Sequence, residues 1–131
     1  MRQGIKSLLG PKPLLGIAIT YTLLITAALL TPITGAPKIE IPFADKIVHL
    51  TINAGLFVVW ASYVFSGKTK TTKTYTLPLL FVCTLLYGIL IEVVQGSFIP
   101  TRGADFFDVV ANVCGLILGF FAVKLTKKFI Y

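Results

Sequence analysis

Charge is scarce in this sequence, and negative charge is the scarcest. Charged residues make up 13% of the 131 residues and hydrophobic residues 56%, whereas roughly a quarter of the residues in a soluble domain are charged. Five Asp and Glu residues stand against twelve Lys and Arg, and there is one histidine. So little charge excludes an ordinary soluble domain and indicates that lipid surrounds most of the chain.

Four long stretches lack charged residues almost completely. Each is close to the roughly 20 residues that a helix needs to cross a hydrocarbon core about 30 Å thick. We place them at residues 14–34, 47–66, 77–94 and 105–123. The sequence therefore predicts an all-α polytopic membrane protein with four transmembrane helices in one domain, residues 1–131. A cleaved signal peptide is the alternative for the first stretch, but its apolar run exceeds the roughly 7–15 residues of a signal h-region.

The basic residues are concentrated in the segments between these stretches. Three precede the first stretch, three lie between the second and third, and three follow the fourth. The positive-inside rule places these nine in the cytoplasm, which predicts an N-in/C-in protein of the cytoplasmic (inner) membrane. Lys38, Lys46 and Arg102 then lie on the extracytoplasmic side. Because topology accounts for the positive charge and no basic face is interleaved with aromatic residues, we expect no nucleic acid partner.

Motifs of well-known enzyme classes are absent. Neither G-x-S-x-G nor H-E-x-x-H occurs in the sequence, so the common hydrolase and zinc protease signatures are excluded. Cys83 and Cys114 both fall inside apolar stretches, where a thiol usually acts as a small hydrophobic group. We expect no cofactor and assign no metal site.

Polar residues nevertheless recur at helical spacing near one end of three predicted helices. Asp45, His49 and Asn53 are spaced i, i+4, i+8, and Asp105, Asp108 and Asn112 are spaced i, i+3, i+7, so each set shares a helix face. In the predicted topology these groups lie within about two turns of the same membrane boundary. The candidate ligand-binding residues are Asp45, Lys46, His49, Asn53, Glu92, Gln95, Arg102, Asp108 and Asn112.

Ionisable groups inside a membrane are costly and normally pair with one another. Arg102, in the short loop after the third stretch, is the obvious cation for Glu92, Asp105 and Asp108. Arg102 can therefore fold back over the cluster. Because one cation faces three carboxylates, we expect at least one of these carboxyl groups to have a raised pKa, and a protonated His49 or a cationic ligand would relieve the excess of negative charge.

The order of these motifs resembles a known family. D-K-x-x-H beginning at Asp45, E-x-x-Q at Glu92, then Arg102, and D-x-x-x-N-x-x-G at Asp108 are similar to the motif series of the VanZ-like family. The resemblance covers residues 45–119, and the first stretch matches only as a hydrophobic helix. It implies a small multipass protein of the cell envelope, in a family whose namesake is linked to resistance to the glycopeptide teicoplanin. It implies no particular reaction.

Three hypotheses follow from these residues. In the first, an outward-facing pocket binds an anionic lipid or a lipid-linked wall precursor, with Arg102 and Lys46 attracting its phosphate, and so modulates glycopeptide susceptibility. In the second, a membrane-embedded hydrolase or transferase uses His49 with Glu92 or Asp108 as acid and base, or as ligands of a divalent metal. In the third, the network is structural, with Glu92 and Asp108 paired to Arg102 and only a scaffold role.

A G-x-x-x-G pair lies in the fourth stretch, at Gly115 and Gly119. This spacing allows two membrane helices to approach closely. We expect the pair to pack within the monomer, and a homodimer through the same face is the alternative.

Overall fold

Four helices make up the part of the chain that the structure describes. The structure is a computed structural model that describes residues 10–32, 34, 43–67 and 74–130, with side chains up to Thr126. The helices are α1 (Pro11–Leu30), α2 (Ala44–Ser66), α3 (Thr76–Phe98) and α4 (Phe106–Ile130). Each contains a segment that is long and apolar enough to cross a membrane. The all-α class is confirmed, as is the presence of four helices long and apolar enough to span a membrane, and the N-in/C-in orientation stays a prediction.

The helices begin and end at residues other than those predicted. Helix α1 ends at Leu30, not at residue 34, because Thr31 precedes Pro32 and has an extended backbone with ψ of 127°, as residues before proline usually do. Helix α2 begins at Ala44, three residues earlier than predicted, so that Asp45 and Lys46 are helical.

Helix α3 also extends into a polar segment, whereas α4 begins one residue later than predicted. Helix α3 continues beyond residue 94 to Phe98. Helix α4 begins at Phe106, and Asp105 is outside it: the carboxylate Oδ1 of Asp105 accepts a hydrogen bond of 2.9 Å from the backbone N–H of Phe107. This is the arrangement of an N-cap residue. Hydropathy underestimates these helices because polar residues that face the interior continue the backbone hydrogen bonding.

Helices α2 and α4 form the most extensive contact in the protein. Phe57 and Ala61 of α2 pack on Leu116 and Val123 of α4, and all four are buried. Helix α1 packs against α2 through polar contacts. In one of them the Tyr21 hydroxyl donates a hydrogen bond of 2.9 Å to the carbonyl of Ile52.

The predicted glycine pair accounts for the close approach of α2 and α4. A Cβ atom on Gly115 would overlap the backbone carbonyl of Leu50, and one on Gly119 would lie 2.9 Å from the carbonyl oxygen of Ala54. The close contact therefore occurs within the chain. A homodimer through these glycines stays a prediction, and it would need a face that α2 already covers.

The outer surface of the bundle is apolar. Leu23 and Leu24 of α1 are each 65% exposed, and Leu86 and Leu90 of α3 are exposed to a similar degree. Contiguous apolar surface of this kind is rare on a soluble monomer and common where lipid is the solvent.

Candidate functional site

Buried polar side chains are gathered at one end of the bundle, where α2 and α4 begin and α3 ends. In the described part of the chain, seven polar or charged residues are buried, and all except Thr84 are predicted site residues. These six are His49, Asn53, Glu92, Gln95, Asp108 and Asn112. The structure therefore brings together the residues that the sequence selected, and three helices contribute to the group.

His49 lies at the centre of this group and is only 2% exposed. Its Nδ1 is 3.2 Å from Oε1 of Glu92 and 3.1 Å from Oδ1 of Asn112. Asn53 donates through Nδ2 to the same Asn112 oxygen at 2.7 Å and to the backbone carbonyl of His49 at 2.9 Å. Because both neighbours of Nδ1 are acceptors, this nitrogen carries the hydrogen. In the neutral ring, Nε2 then has a free lone pair.

The Nε2 side of the ring faces two carboxylates. Oδ1 of Asp45 and Oδ2 of Asp108 are each 3.9 Å from Nε2, which is too far for a hydrogen bond. Asp45 is on α2, one turn before His49, and Asp108 is in the first turn of α4. One donor atom from each of these three residues lies within 4.8 Å of the other two.

Lys46 supplies the positive charge that the sequence assigned to Arg102. Its Nζ is 2.5 Å from Oδ2 of Asp105 and 2.7 Å from Oδ1 of Asp108. The second contact is an ion pair without the geometry of a directed hydrogen bond. Among the residues that the structure describes, Arg102 makes no ion pair with Glu92, Asp105 or Asp108, so the pairing of the structural hypothesis is not observed. Because α2 and α4 are in close contact, Lys46 of α2 lies beside Asp105 and Asp108 and pairs with them in place of the loop arginine.

Arg102 therefore has no acidic partner among the residues that the structure describes. Its Nε is buried and has no hydrogen-bond partner among the residues that the structure describes. The oxygens of Glu92 likewise lack a directed hydrogen bond there, with His49 as the nearest charged neighbour. Gln95 is committed elsewhere, because its Nε2 donates to the carbonyl of Leu29 at 2.7 Å and so satisfies the end of α1.

A pocket of about 250 Å³ opens at this end of the bundle. Its lining residues are Asp45, His49, Gln95, Thr101, Arg102, Gly103, Asp105 and Asp108. Of the other predicted site residues, Lys46, Asn53, Glu92 and Asn112 support the lining from behind. Thr101 and Gly103 were not predicted as site residues, and their position on either side of Arg102 is the signal that identifies them.

The match to known proteins agrees with the motif order. A model of the VanZ/LLP1 family matches residues 13–127. The chain belongs to the VanZ/LLP1 family. An uncharacterized protein of Schizosaccharomyces pombe is 34% identical over 102 residues, which are 78% of this chain and 58% of that protein. The chain thus spans less than two thirds of the length of this relative. No solved structure matches.

Membership of the VanZ/LLP1 family covers helix α1 as well, because the match begins at residue 13. The motif resemblance extended only from residue 45. Helix α1 contributes packing and no pocket residue: Trp60 of α2 donates to the Thr22 hydroxyl over 3.0 Å, and Thr26 is hydrogen-bonded to Tyr87 of α3 at 2.6 Å. The polar site of this VanZ/LLP1 domain is therefore built by α2, α3, α4 and the loop between the last two.

Asp105, at the edge of the pocket, is the site residue outside the membrane-spanning segments whose ionisation the contacts most affect. The hydrogen bond from the Lys46 ammonium holds the pKa of the Asp105 carboxyl below its ordinary value, and the Phe107 N–H lowers this pKa further. Asp105 is therefore a carboxylate at neutral pH. Its charge and that of Asp108 offset that of Lys46, which leaves Arg102 as the cation of the pocket without an acidic partner among the described residues.

Proposed function

We propose that this VanZ/LLP1 protein binds the phosphate-bearing head group of an envelope lipid, or of a lipid-linked cell-wall component, in the polar pocket. The observation that carries the proposal is the position of Arg102 in the pocket lining, where its buried Nε has no hydrogen-bond partner among the described residues. Guanidinium groups bind phosphate through paired, directed donors. The sequence predicted that both Arg102 and Lys46 attract the phosphate. Because Lys46 has two carboxylate partners, we now propose Arg102 alone for this role.

The size and surroundings of the pocket suit a head group whose acyl chains stay in the membrane. About 250 Å³ is too small for a whole lipid. Four large aromatic side chains around this end of the bundle are 65–78% exposed: Phe43, Phe98, Phe106 and Phe107. Aromatic residues of membrane proteins collect at the level of the lipid head groups. They support a pocket that lies at this level.

The binding experiment compares two lipids that differ only in phosphate. The purified protein, in nanodiscs, is titrated with phosphatidic acid and with diacylglycerol of the same acyl chains. We expect the wild type to prefer phosphatidic acid and Arg102→Ala to lose the preference. A charge-assisted hydrogen bond contributes about 1.5–3 kcal/mol, so the affinity should fall roughly 10- to 150-fold at about 1.4 kcal/mol per tenfold.

Two variants complete this experiment. Lys124→Ala removes one positive charge from an exposed position near the other end of α4 and should bind phosphatidic acid as the wild type does. Arg102→Lys keeps the positive charge but not the forked arrangement of N–H donors. Its affinity for phosphatidic acid should therefore lie between those of the wild type and Arg102→Ala. Equal binding by Arg102→Ala and the wild type would refute the proposal.

The proposal places the pocket on the extracytoplasmic side of the cytoplasmic membrane, with both termini in the cytoplasm. Its support is the distribution of Lys and Arg along the sequence. On that side the protein would meet lipid-linked wall components. Its binding to these components would alter glycopeptide susceptibility. With Cys83 and Cys114 replaced by Ala, Thr101→Cys should react with an impermeant maleimide on intact cells and Thr74→Cys should not. The reverse pattern would refute the glycopeptide role.

Acid–base catalysis is the second candidate, and the orientation of His49 favours it. Nδ1 is held beside Glu92 and Asn112, and the lone pair of Nε2 points toward the pocket that Arg102 lines. Such a histidine can take a proton from water while the water oxygen attacks phosphorus, and return it to the leaving oxygen as the P–O bond breaks. Release of inorganic phosphate from phosphatidic acid, lost in His49→Gln, tests this. No release by the wild type excludes it and leaves binding standing.

A further inference from the structure

Three side chains surround an open point in the pocket. Nε2 of His49 lies 3.9 Å from Oδ1 of Asp45 and 3.9 Å from Oδ2 of Asp108, and the three donor atoms fit within 4.8 Å. Donor atoms that share one metal at about 2.1 Å stand roughly 3.0–3.4 Å apart, so a small inward movement completes the geometry. Asp45 has the freedom for it, since its side chain is 60% exposed.

The buried histidine provides a second and independent indication of a ligand. Its ring is 98% buried, as the 2% exposure requires, and within the described chain Nε2 has no hydrogen-bond partner at normal distance. Glu92 and Asn112 fix the ring from the Nδ1 side. Histidines that bind metals usually donate their other N–H to a carboxylate or carbonyl in this way, which fixes the tautomer and leaves Nε2 for the metal.

The two carboxylate oxygens of Asp108 have different neighbours. Its Oδ1 contacts Lys46 at 2.7 Å, while Oδ2 is the oxygen turned toward His49. Lys46 therefore does not occupy the position of a cation beside Oδ2. One oxygen pairs with the ammonium, and the other is available as a ligand.

The charge of the site also calls for a cation. Three carboxylates line the pocket, those of Asp45, Asp105 and Asp108. With His49 neutral and Lys46 and Arg102 as the cations, these groups carry a net charge of one negative unit. Net charge is costly at the end of a membrane bundle, and a bound cation would offset it.

We infer that Asp45, His49 and Asp108 bind one divalent transition-metal cation, of the Zn²⁺ or Mn²⁺ class. One imidazole nitrogen with two carboxylate oxygens suits these ions, whereas Mg²⁺ and Ca²⁺ prefer sites made of oxygen alone. Three protein ligands leave positions open for a phosphate oxygen or water. The sequence raised a metal only within the enzyme hypothesis, with Glu92 or Asp108 beside His49, and did not select Asp45 as a ligand. The inference goes beyond head-group binding and does not depend on it, because Arg102 is not a ligand. A cation on Nε2 excludes this nitrogen as the proton acceptor of the second candidate function.

The first experiment measures metal content. The full chain is purified in detergent, stripped with EDTA, incubated with Zn²⁺ or Mn²⁺, passed through a desalting column and analysed by mass spectrometry of the metal. We expect about one ion per chain, not displaced by excess Mg²⁺. Asp45→Asn and His49→Gln should each weaken binding by more than tenfold. Mn²⁺ bound to the wild type should show ¹⁴N coupling in its electron spin echo spectrum, and this coupling should vanish in His49→Gln.

Asp105→Asn is the matched control, because it removes one carboxylate from the same end of the bundle. The two oxygens of Asp105 are already bonded to Lys46 and to the Phe107 N–H, so this variant should keep the ion. Less than about 0.2 ions per wild-type chain would overturn the inference. Wild-type affinity in Asp45→Asn, whose exposed site tolerates the change, would also overturn it, as would equal losses in Asp45→Asn and Asp105→Asn.

A last comparison separates the ion from the head group. Arg102→Ala should retain the ion while losing phosphatidic acid. Loss of the ion in Arg102→Ala would refute the assignment of the ion to Asp45, His49 and Asp108. Retention of both would refute the head-group proposal and leave the cation site supported.

Discussion

The approach of α2 to α4 sets the geometry of the site, and replacing Gly115 by alanine tests it most directly. Gly115 is buried, and a Cβ atom there would overlap the carbonyl oxygen of Leu50. This carbonyl belongs to the backbone of α2, one residue after His49, and cannot rotate away as a side chain would. We therefore expect Gly115→Ala to push the helices apart at the level of His49.

Two opposing effects determine the magnitude. Alanine favours a helix over glycine by about 0.5–1 kcal/mol. Overpacking a well-filled interior costs about 1–3 kcal/mol, and a clash with backbone should be near the upper end. The expected net loss of unfolding free energy for Gly115→Ala is therefore about 1.5–2.5 kcal/mol. Since the widened gap lies between the helices that carry His49 and Asp108, binding of phosphatidic acid should weaken as well.

Other glycines of the same chain provide a graded series of controls. Around Gly16 nothing lies within 4 Å of an added Cβ atom, so Gly16→Ala should stabilise the protein. In Gly119→Ala the added Cβ atom would lie 2.9 Å from the Ala54 carbonyl oxygen and 3.0 Å from Phe57 Cβ, so the stability of this variant should lie between those of the other two. Unfolding in mixed micelles, followed by helical circular dichroism, measures the stabilities of the three variants. Equal stability of Gly115→Ala and Gly16→Ala would refute the packing of α2 against α4.

Two further predictions concern charge. Glu92→Gln keeps the shape of a side chain that is 97% buried, as its 3% exposure requires, but removes a charge that is costly in a membrane; its melting temperature in detergent should equal or exceed that of the wild type. A melting temperature lowered by several degrees would instead show that an ion pair with His49 stabilises the fold. Lys46 lowers the pKa of Asp105 in the folded protein. The Lys46–Asp105 contact therefore stabilises the fold above the unfolded pKa of about 3.9, and this stabilisation is lost as the pH falls through the folded pKa. The melting temperatures of wild type and Asp105→Asn should therefore differ at pH 6 and converge below about pH 4, and a difference that does not change with pH would contradict the Lys46 contact.

Hydropathy was sufficient to predict the fold class and the number of helices. The reason is that apolar runs of about 20 residues have few alternatives to spanning a membrane. The ends of the helices were less predictable. Ala44 begins α2 and Phe98 ends α3, because polar groups that face a protein interior continue a helix as well as apolar ones. Pro32 marked the end of α1 more accurately than hydropathy did.

The members of the site were predictable, and their partners were not. Helical spacing selected His49 and Asn53 on one face and Asp108 and Asn112 on another, and all four are buried together. Pairing depends on the distance between helices, which a single sequence does not contain. The glycines of α4 determine this distance, and it allows Lys46 to reach Asp108.

The loop between α3 and α4 holds Arg102 in place, which distinguishes it from a charge that only marks membrane topology. Its backbone N–H donates to the carbonyl of Ile99 over 3.0 Å, and Ile99 is buried. On the other side of Arg102, Ala104 packs so closely on Gly96 that a Cβ atom there would lie 2.6 Å from the Ala104 methyl group. A solvated arginine needs no such support, since its side chain can reach water in many conformations. A loop fixed at both ends that holds the guanidinium at the pocket suits recognition of an anionic group, because the donors of Arg102 are already in position. Gly96→Ala should for this reason weaken phosphatidic acid binding while Arg102 itself is unchanged.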